Sequence, residues 1–194
     1  MGTSAEARVL DGARTCMERW GISKVTIDDI AVEAGVSRAT IYRMFPGGKD
    51  VLFEALRVRQ LEEFFTLLRE QVAGADSLEE LMVRTVVAAT RELRADHHLA
   101  LMMAAEPGAV LGQLTVEGLP RIVRFASTFL VPLVEPFLDG SEARAVLDVL
   151  ARLTISYFLS PSDVVDLGDE GSARAFVVPL LAAFTVTANA PVPV

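Results

Sequence analysis

The segment Thr26–Phe45, TIDDIAVEAGVSRATIYRMF, constrains the fold more than any other part of the chain. Thr26 reads as a helix N-cap. Its hydroxyl can accept from the backbone N–H of Asp28 or Asp29, and those two acids favour the positive end of a helix. The short helix IDDIAVEA ends at Gly35, which supplies a tight turn where a Cβ would clash. Ser37 caps a second short helix, Arg38–Met44. Phe45-Pro46-Gly47-Gly48 stops it, because proline and two glycines extend a helix poorly. Ile27, Ile30, Ala31, Ala34, Val36, Ala39, Ile41 and Phe45 supply a small core, with Ala31 and Ala39 small enough to let two helices cross closely. Ser37, Arg38, Thr40, Tyr42 and Arg43 remain for the outer face of the second helix. That face is rich in donors and holds no acid. It suits a helix that enters a major groove about 12 Å wide and meets base edges and phosphates.

The rest of the chain also reads as helical. Strand alternation is almost absent, and Ala, Leu, Glu and Arg dominate. A first helix is predicted from about Ser4 to Trp20, with Val9, Leu10, Ala13, Cys16, Met17 and Trp20 on one face and Gly21 just beyond its end. A long helix runs from Asp50 to about Val72 and stops at Gly74. Ser77 caps the next, to about Ala95, and Asp96 caps a short helix near His98–Ala105. Leu119–Leu138 carries Pro132 and Pro136 and reads as a kinked helix. Ser141 starts another, to about Phe158. SPSDVVDLGDEG is a loop, and the last helix spans about Ser172–Thr187 with Pro179 inside it. The tail Asn189–Val194 is expected to fray. The expected fold is all-α with about nine helices: a three-helix N-terminal unit at residues 1–50 and a larger helical body at 51–194.

Charge separates the same two regions. The chain carries a net charge of −8. Residues 1–60 hold nine Lys/Arg against eight Asp/Glu, whereas the remainder holds nine against eighteen. Between Val36 and Lys49 stand Arg38, Arg43 and Lys49 with no acid. A local basic surface on an acidic body is compatible with nucleic acid, since affinity follows local phosphate contacts. Hydrophobic residues make up 52% of the chain and mean hydropathy is +0.40. A membrane span would need about 20 consecutive apolar residues. The longest apolar stretch, Phe176–Val186, is about half that and is interrupted by Pro179. No secretory signal is visible at the N-terminus, and one cysteine, Cys16, forms no internal disulfide. A cytoplasmic protein is expected, with its surplus apolar surface spent on a subunit interface, a pocket, or both.

The pattern around the first unit is similar to that of the TetR (tetracycline repressor, AcrR-like) family of bacterial transcriptional regulators. In that family an apolar-Gly pair precedes T-x-x-x-I-A-x-x-A-G-V-S-x-x-x-[IL]-Y-x-x-F-x-x-K-x-x-L. The matching residues are Trp20-Gly21, Thr26, Ile30, Ala31, Ala34, Gly35, Val36, Ser37, Ile41, Tyr42, Phe45, Lys49 and Leu52. The resemblance covers about the first 55 residues. It implies a helix-turn-helix in which Thr26, Tyr42 and Lys49 contact phosphates. Ser37, Arg38, Thr40 and Arg43 would reach bases or adjacent phosphates, Arg38 and Arg43 being the candidates for guanine. Met44 departs from the His or aromatic residue frequent before the Phe in the family.

The resemblance further implies a homodimer on a roughly palindromic operator in double-stranded DNA, formed through the last two helices. Candidate interface residues are Val146, Leu147, Leu150, Leu153 and Tyr157 on one, and Phe176, Val177, Leu180, Leu181 and Phe184 on the other. Met82, Val86, Thr90, Met102, Met103, Phe125, Phe129 and Phe137 are candidates to line an adaptable apolar pocket, with ordinary packing as the alternative. A pocket with few charges suits a small hydrophobic ligand, and Arg121 or Arg124 could hold an acidic head group. Adjacent His97 and His98 point about 100° apart on a helix and do not share one metal easily, so Asp96 and Glu106 nearby do not complete a metal site. No cofactor is expected. No nucleophile–base pair or phosphate loop supports an enzyme. The expected function is a ligand-released repressor. A regulator of the same fold without a ligand, or an activator, is the alternative.

Overall fold

The computed structural model describes residues 4–105, 107–116 and 118–188, with the side chains at 98, 105, 109, 113 and 185–188 set aside. The expected fraying of Asn189–Val194 and the expected role of Glu106 therefore lie outside the described residues. Ten α-helices are present among these residues: α1 (Ala5–Trp20), α2 (Ile27–Ala34), α3 (Arg38–Met44), α4 (Lys49–Val72), α5 (Leu78–Ala95), α6 (His97–Ala105), α7 (Pro107–Leu114), α8 (Leu119–Val134), α9 (Gly140–Leu159) and α10 (Glu170–Ala188). The all-helical expectation holds. The additional helix is α7, PGAVLGQL, whose two glycines hide its helical signal while Pro107 sits comfortably at its first position. None of the described helices is long and apolar enough to cross a membrane.

The chain divides into two compact units, residues 1–62 and 63–194; α4 starts in the first and ends in the second. In the first unit α1 packs on α2, and α2 on α3. Val9, Ala13, Cys16, Ile30, Ile41 and Leu52 are fully buried there. The α1 and α2 helices approach closely at Gly12: a Cβ on it would stand 3.1 Å from the Ala34 backbone nitrogen and 3.2 Å from the Ala34 Cβ. Burial pushes the Cys16 thiol up, with Glu33 and Asp29 adding to the effect. It therefore stays an unreactive core group.

Two expected core residues face solvent instead. Ala39 is exposed, because two positions on a helix lie about 200° apart and burying Ile41 turns Ala39 outward. Trp20 is 46% exposed, as the final residue of α1 with no further turn to cover its ring.

In the second unit α5 contacts α6, α9 and α10, α8 packs on α9, and α6 on α7. Met82, Val83, Val86, Val134, Val146, Leu167 and Val177 are fully or nearly fully buried. The α8 helix stops at Val134, short of Leu138, because Pro136 has no N–H to continue the ladder. The cap of α9 is Asp139, not Ser141. Its carboxylate accepts from the Ser141 and Glu142 backbone N–H groups at 2.8 and 3.0 Å, which holds the carboxyl below its ordinary pKa. Asp96 accepts from the Leu99 N–H at 2.9 Å, as expected of a cap. The loop before α10 is pinned on α5 by an Arg94–Asp166 ion pair at 2.8 Å and by Arg91 Nε donating to the Gly168 carbonyl at 2.8 Å.

Candidate nucleic-acid interface

Three local devices hold α2 and α3 in place. At the start of α2, the Asp29 N–H donates to Thr26 Oγ1 (3.2 Å), while the Thr26 N–H and hydroxyl donate to Asp29 Oδ2 (2.9 and 2.6 Å). The donated hydrogen bonds stabilise the ionised carboxylate and lower the Asp29 pKa, the hydroxyl contributing most. The Thr26 hydroxyl is thus committed to a closed capping box. At Gly35 the chain turns with φ +64°, a left-handed conformation that side-chain-bearing residues adopt at a cost; a Cβ there would meet no atom within 4 Å, so the conformation and not the expected clash calls for glycine. At the start of α3, Ser37 Oγ accepts from the Thr40 N–H at 3.1 Å and lies 2.9 Å from the Thr40 hydroxyl.

The outward face of α3 follows from what these devices bury. Ile41 and Phe45 point inward. Ser37, Arg38, Ala39, Tyr42 and Arg43 are exposed, and Thr40 is half-buried. Tyr42 is 47% exposed. Arg43 makes no ion pair among the described residues. Arg38 does: its Nε lies 3.1 Å from Asp28 Oδ1 on α2. Lys49 opens α4, half-buried, its ammonium 3.5 Å from the Ser23 carbonyl and 5.8 Å from the centre of the Phe53 ring. Every residue assigned from the sequence to base or phosphate contact thus lies on α3, in its cap, or in a cap or first turn of the helices flanking it. Two residues of this face escape sequence reasoning. Ala39 was counted to the core, and Asp28 carried only a helix-end role. Ala39 brings a methyl to the face, the kind of group that contacts the thymine methyl.

The body residues divide sharply. Val146, Leu147, Leu150, Val177 and Leu181 are buried within the protomer's own core and have no surface to offer a second copy. Leu153 and Tyr157 on α9, and Phe176, Leu180 and Phe184 on α10, remain half-buried. The Tyr157 and Phe176 rings meet edge to face at 5.4 Å. Of the residues considered for a pocket, Met82, Val86, Thr90 and Met102 are buried. The Thr90 hydroxyl is used up on the Val86 carbonyl at 2.8 Å. Met103, Phe125 and Phe129 are half-buried, and Phe137 is exposed. Phe125 and Phe129 stack on each other at 6.1 Å and on Phe65 of α4 at 6.2 and 6.1 Å. Phe64 meets Phe65 edge to face at 5.2 Å. The α4 pair was absent from the sequence candidates. Its signal, two adjacent phenylalanines in an otherwise charged stretch (LEEFFTLLRE), was available. Among the described residues no three His, Cys, Asp or Glu side chains gather as a metal site would require.

Comparison with known proteins finds relatives of the N-terminal region and of the fold. Residues 9–56 match the family described as bacterial regulatory proteins, tetR family. An uncharacterized HTH-type transcriptional regulator of Mycobacterium tuberculosis is 33% identical over 120 residues, covering 58% of this chain and 61% of the relative. An HTH-type transcriptional repressor of the same organism is 32% identical over 123 residues, covering 59% of this chain and 64% of that one. The chain thus matches about three fifths of the length of these relatives. The fold is similar to that of the TetR family repressor AlkX from Dietzia sp. (TM-score 0.68, 23% identity, 94% of this chain and 96% of AlkX). It is also similar to that of the multidrug binding protein EbrR (TM-score 0.62, 22% identity, 100% and 98%). The match assigns residues 9–56, and those residues alone, to the N-terminal domain of the tetR family of bacterial regulatory proteins.

Proposed function

We propose that this protein is a homodimeric transcriptional repressor that grips a roughly palindromic DNA operator through α3 and is released by a small, largely apolar ligand. The observation that carries the reading is the exposed face of α3, where Arg38, Tyr42 and Arg43 stand outward from a helix whose start, like that of α2, is capped. Ser37, Tyr42 and Lys49 serve the phosphates and Arg38 and Arg43 the bases, while Thr26, its donors spent on Asp29, acts by holding the start of α2. Such a protein works where the DNA is, in the cytoplasm on the nucleoid. We keep the division of labour at 1–50 for reading DNA and 51–194 for ligand and dimer. A dimer doubles the contacts available to one short helix. The stripes Leu153/Tyr157 and Phe176/Leu180/Phe184, each at i, i+4 spacing, supply the face for it.

The ligand reading rests on the aromatic cluster. Arg121, Phe125 and Phe129 share one stripe of α8 at i, i+4, i+8, with Arg121 half-buried. That places a cation at one end of an apolar track and suits an acidic head on an apolar tail. Solved proteins of similar fold include a transcriptional regulator FadR from Bacillus subtilis in complex with stearoyl-CoA and a repressor implicated in biodegradation of n-alkanes. The ligand acts by binding better to a state whose two reading heads are wrongly spaced, since only that difference in affinity shifts the population. The α4 helix, which runs through both units, carries the change.

The test is a titration of the protein against the promoter region upstream of its own gene at several salt concentrations, with Arg43→Ala in parallel. Tight, salt-sensitive, sequence-preferring binding that the variant loses supports the reading. Absence of binding at low salt overturns it. A saturating apolar ligand that leaves operator affinity unchanged overturns the release mechanism alone.

A further inference from the structure

We propose that Asp28 is a specificity-determining residue, which holds the Arg38 side chain as a base reader and weakens it as a phosphate clamp. The inference rests on the DNA-binding reading above and adds a residue to it. Asp28 lies in the first turn of α2, yet the cap there is already closed by Thr26 and Asp29. The partner of its carboxylate is Arg38, at 3.1 Å through Nε, on the next helix. Both side chains are about three-fifths exposed, 62% for Asp28 and 59% for Arg38. Such a pair contributes little to folding.

An acid on a face that meets phosphates also opposes nucleic-acid binding in general, since affinity there follows the phosphates neutralised. Beyond favouring the positive end of α2, its effect lies in what it does to Arg38. A guanidinium met at Nε can present its two terminal nitrogens as a planar fork, the geometry that meets O6 and N7 of guanine. Pre-placing the fork removes part of the ordering cost of each base contact. The same carboxylate partly neutralises Arg38 toward phosphates, which every sequence offers equally. Both effects widen the gap between right and wrong DNA, at some loss of total affinity.

The experiment uses the full chain, a duplex selected by the wild type from a random-sequence pool, and a scrambled duplex of equal length. Wild type, Asp28→Asn, Asp28→Glu, Arg38→Ala and the double variant Asp28→Asn/Arg38→Ala are titrated against both duplexes over a salt series, with thermal unfolding alongside. Asp28→Asn is expected to bind the scrambled duplex more tightly than wild type, with a steeper salt dependence. Its selected-to-scrambled ratio is expected to fall about threefold to tenfold, a share of what one guanine contact discriminates. Asp28→Glu restores part of the ratio, and the Asp28→Asn change has no effect once Arg38 is alanine. Weaker binding of both duplexes together with a lower Tm would show a merely structural role and overturn the proposal. So would an unchanged ratio, or an effect that persists without Arg38. If the pool yields no selected sequence and the wild type binds neither duplex, the DNA-binding reading itself fails, and this proposal with it.

Discussion

The two units spend their apolar residues differently. In residues 1–62 the large apolar groups Val9, Ile30, Ile41, Leu52 and Leu56 close on one another almost completely, and the donors of α3 are left outside. In residues 63–194 a buried layer is also present. Around it stand side chains that are only half covered: Phe125 and Phe129 on α8, Tyr157 on α9, Phe176 and Leu180 on α10. Leu101 and Leu111 are exposed further still. The first unit also leaves apolar side chains outside, Trp20, Val32 and Val51 among them, but its core closes as one cluster behind the α3 face. A unit with apolar surface to spare has reason to take a second copy or an apolar molecule. The difference is what the proposed function builds on: DNA on the exterior of the first unit, ligand and partner on the incompletely covered side chains of the second.

The largest expected effect tests the second half of this contrast. Phe65, almost fully buried among Phe64, Phe125 and Phe129, is core, and Phe65→Ala should cost about 3–5 kcal/mol by urea unfolding. Half-buried Phe129 should cost clearly less in stability while changing ligand affinity. If Phe129→Ala is as destabilising as Phe65→Ala and indifferent to ligand, the cluster is packing alone. Next comes the frame of the first unit. Ile41→Ala removes a side chain with no exposed surface and should cost about 2–5 kcal/mol, with DNA binding lost through unfolding and not through contact.

Arg43→Ala should show the reverse. Affinity for operator should fall by about 1–3 kcal/mol, with the Tm unmoved, as read by titration and thermal melting on the same sample. A lowered Tm would mean that Arg43 serves the fold. Thr26→Ala removes the α2 cap and should cost about 1 kcal/mol. The smallest effect belongs to its partner. The Asp29 pKa is lowered in the folded state, so its stabilisation is present above the ordinary Asp value and is lost as pH falls through the lowered one. Melting curves of wild type and Asp29→Asn should therefore differ near neutrality and converge in strong acid. A gap that stays constant with pH would remove the carboxylate from the account.

Much of the first unit was legible because its signals are local. The Thr26 and Ser37 caps, the Gly35 turn and the stop after Met44 each act within four residues, and each is found where the sequence put it. What escaped were relations between helices. The Gly12–Ala34 approach joins residues twenty-two apart in a chain whose pattern around Gly12 looks like plain helix. Ala39 and Ile41 are both apolar, and only the packing of α3 decides which one turns outward. In the body, apolar stripes on α9 and α10 were legible as such. Their division into buried Leu150 and Val177 against half-buried Tyr157 and Phe176 required the neighbouring helices.

By itself the sequence determined an all-helical chain with a capped, glycine-turned helix pair near its N-terminus and a donor-rich face on the second helix. Periodicity, capping and turn chemistry operate over one or two turns, and one or two turns are what a sequence displays directly. The tertiary structure decided which apolar residues are core, where α1 and α2 touch, that α7 exists, and that Asp28 meets Arg38. Those outcomes depend on which surfaces are brought together, and burial and ion pairing arise only once distant helices share the same space.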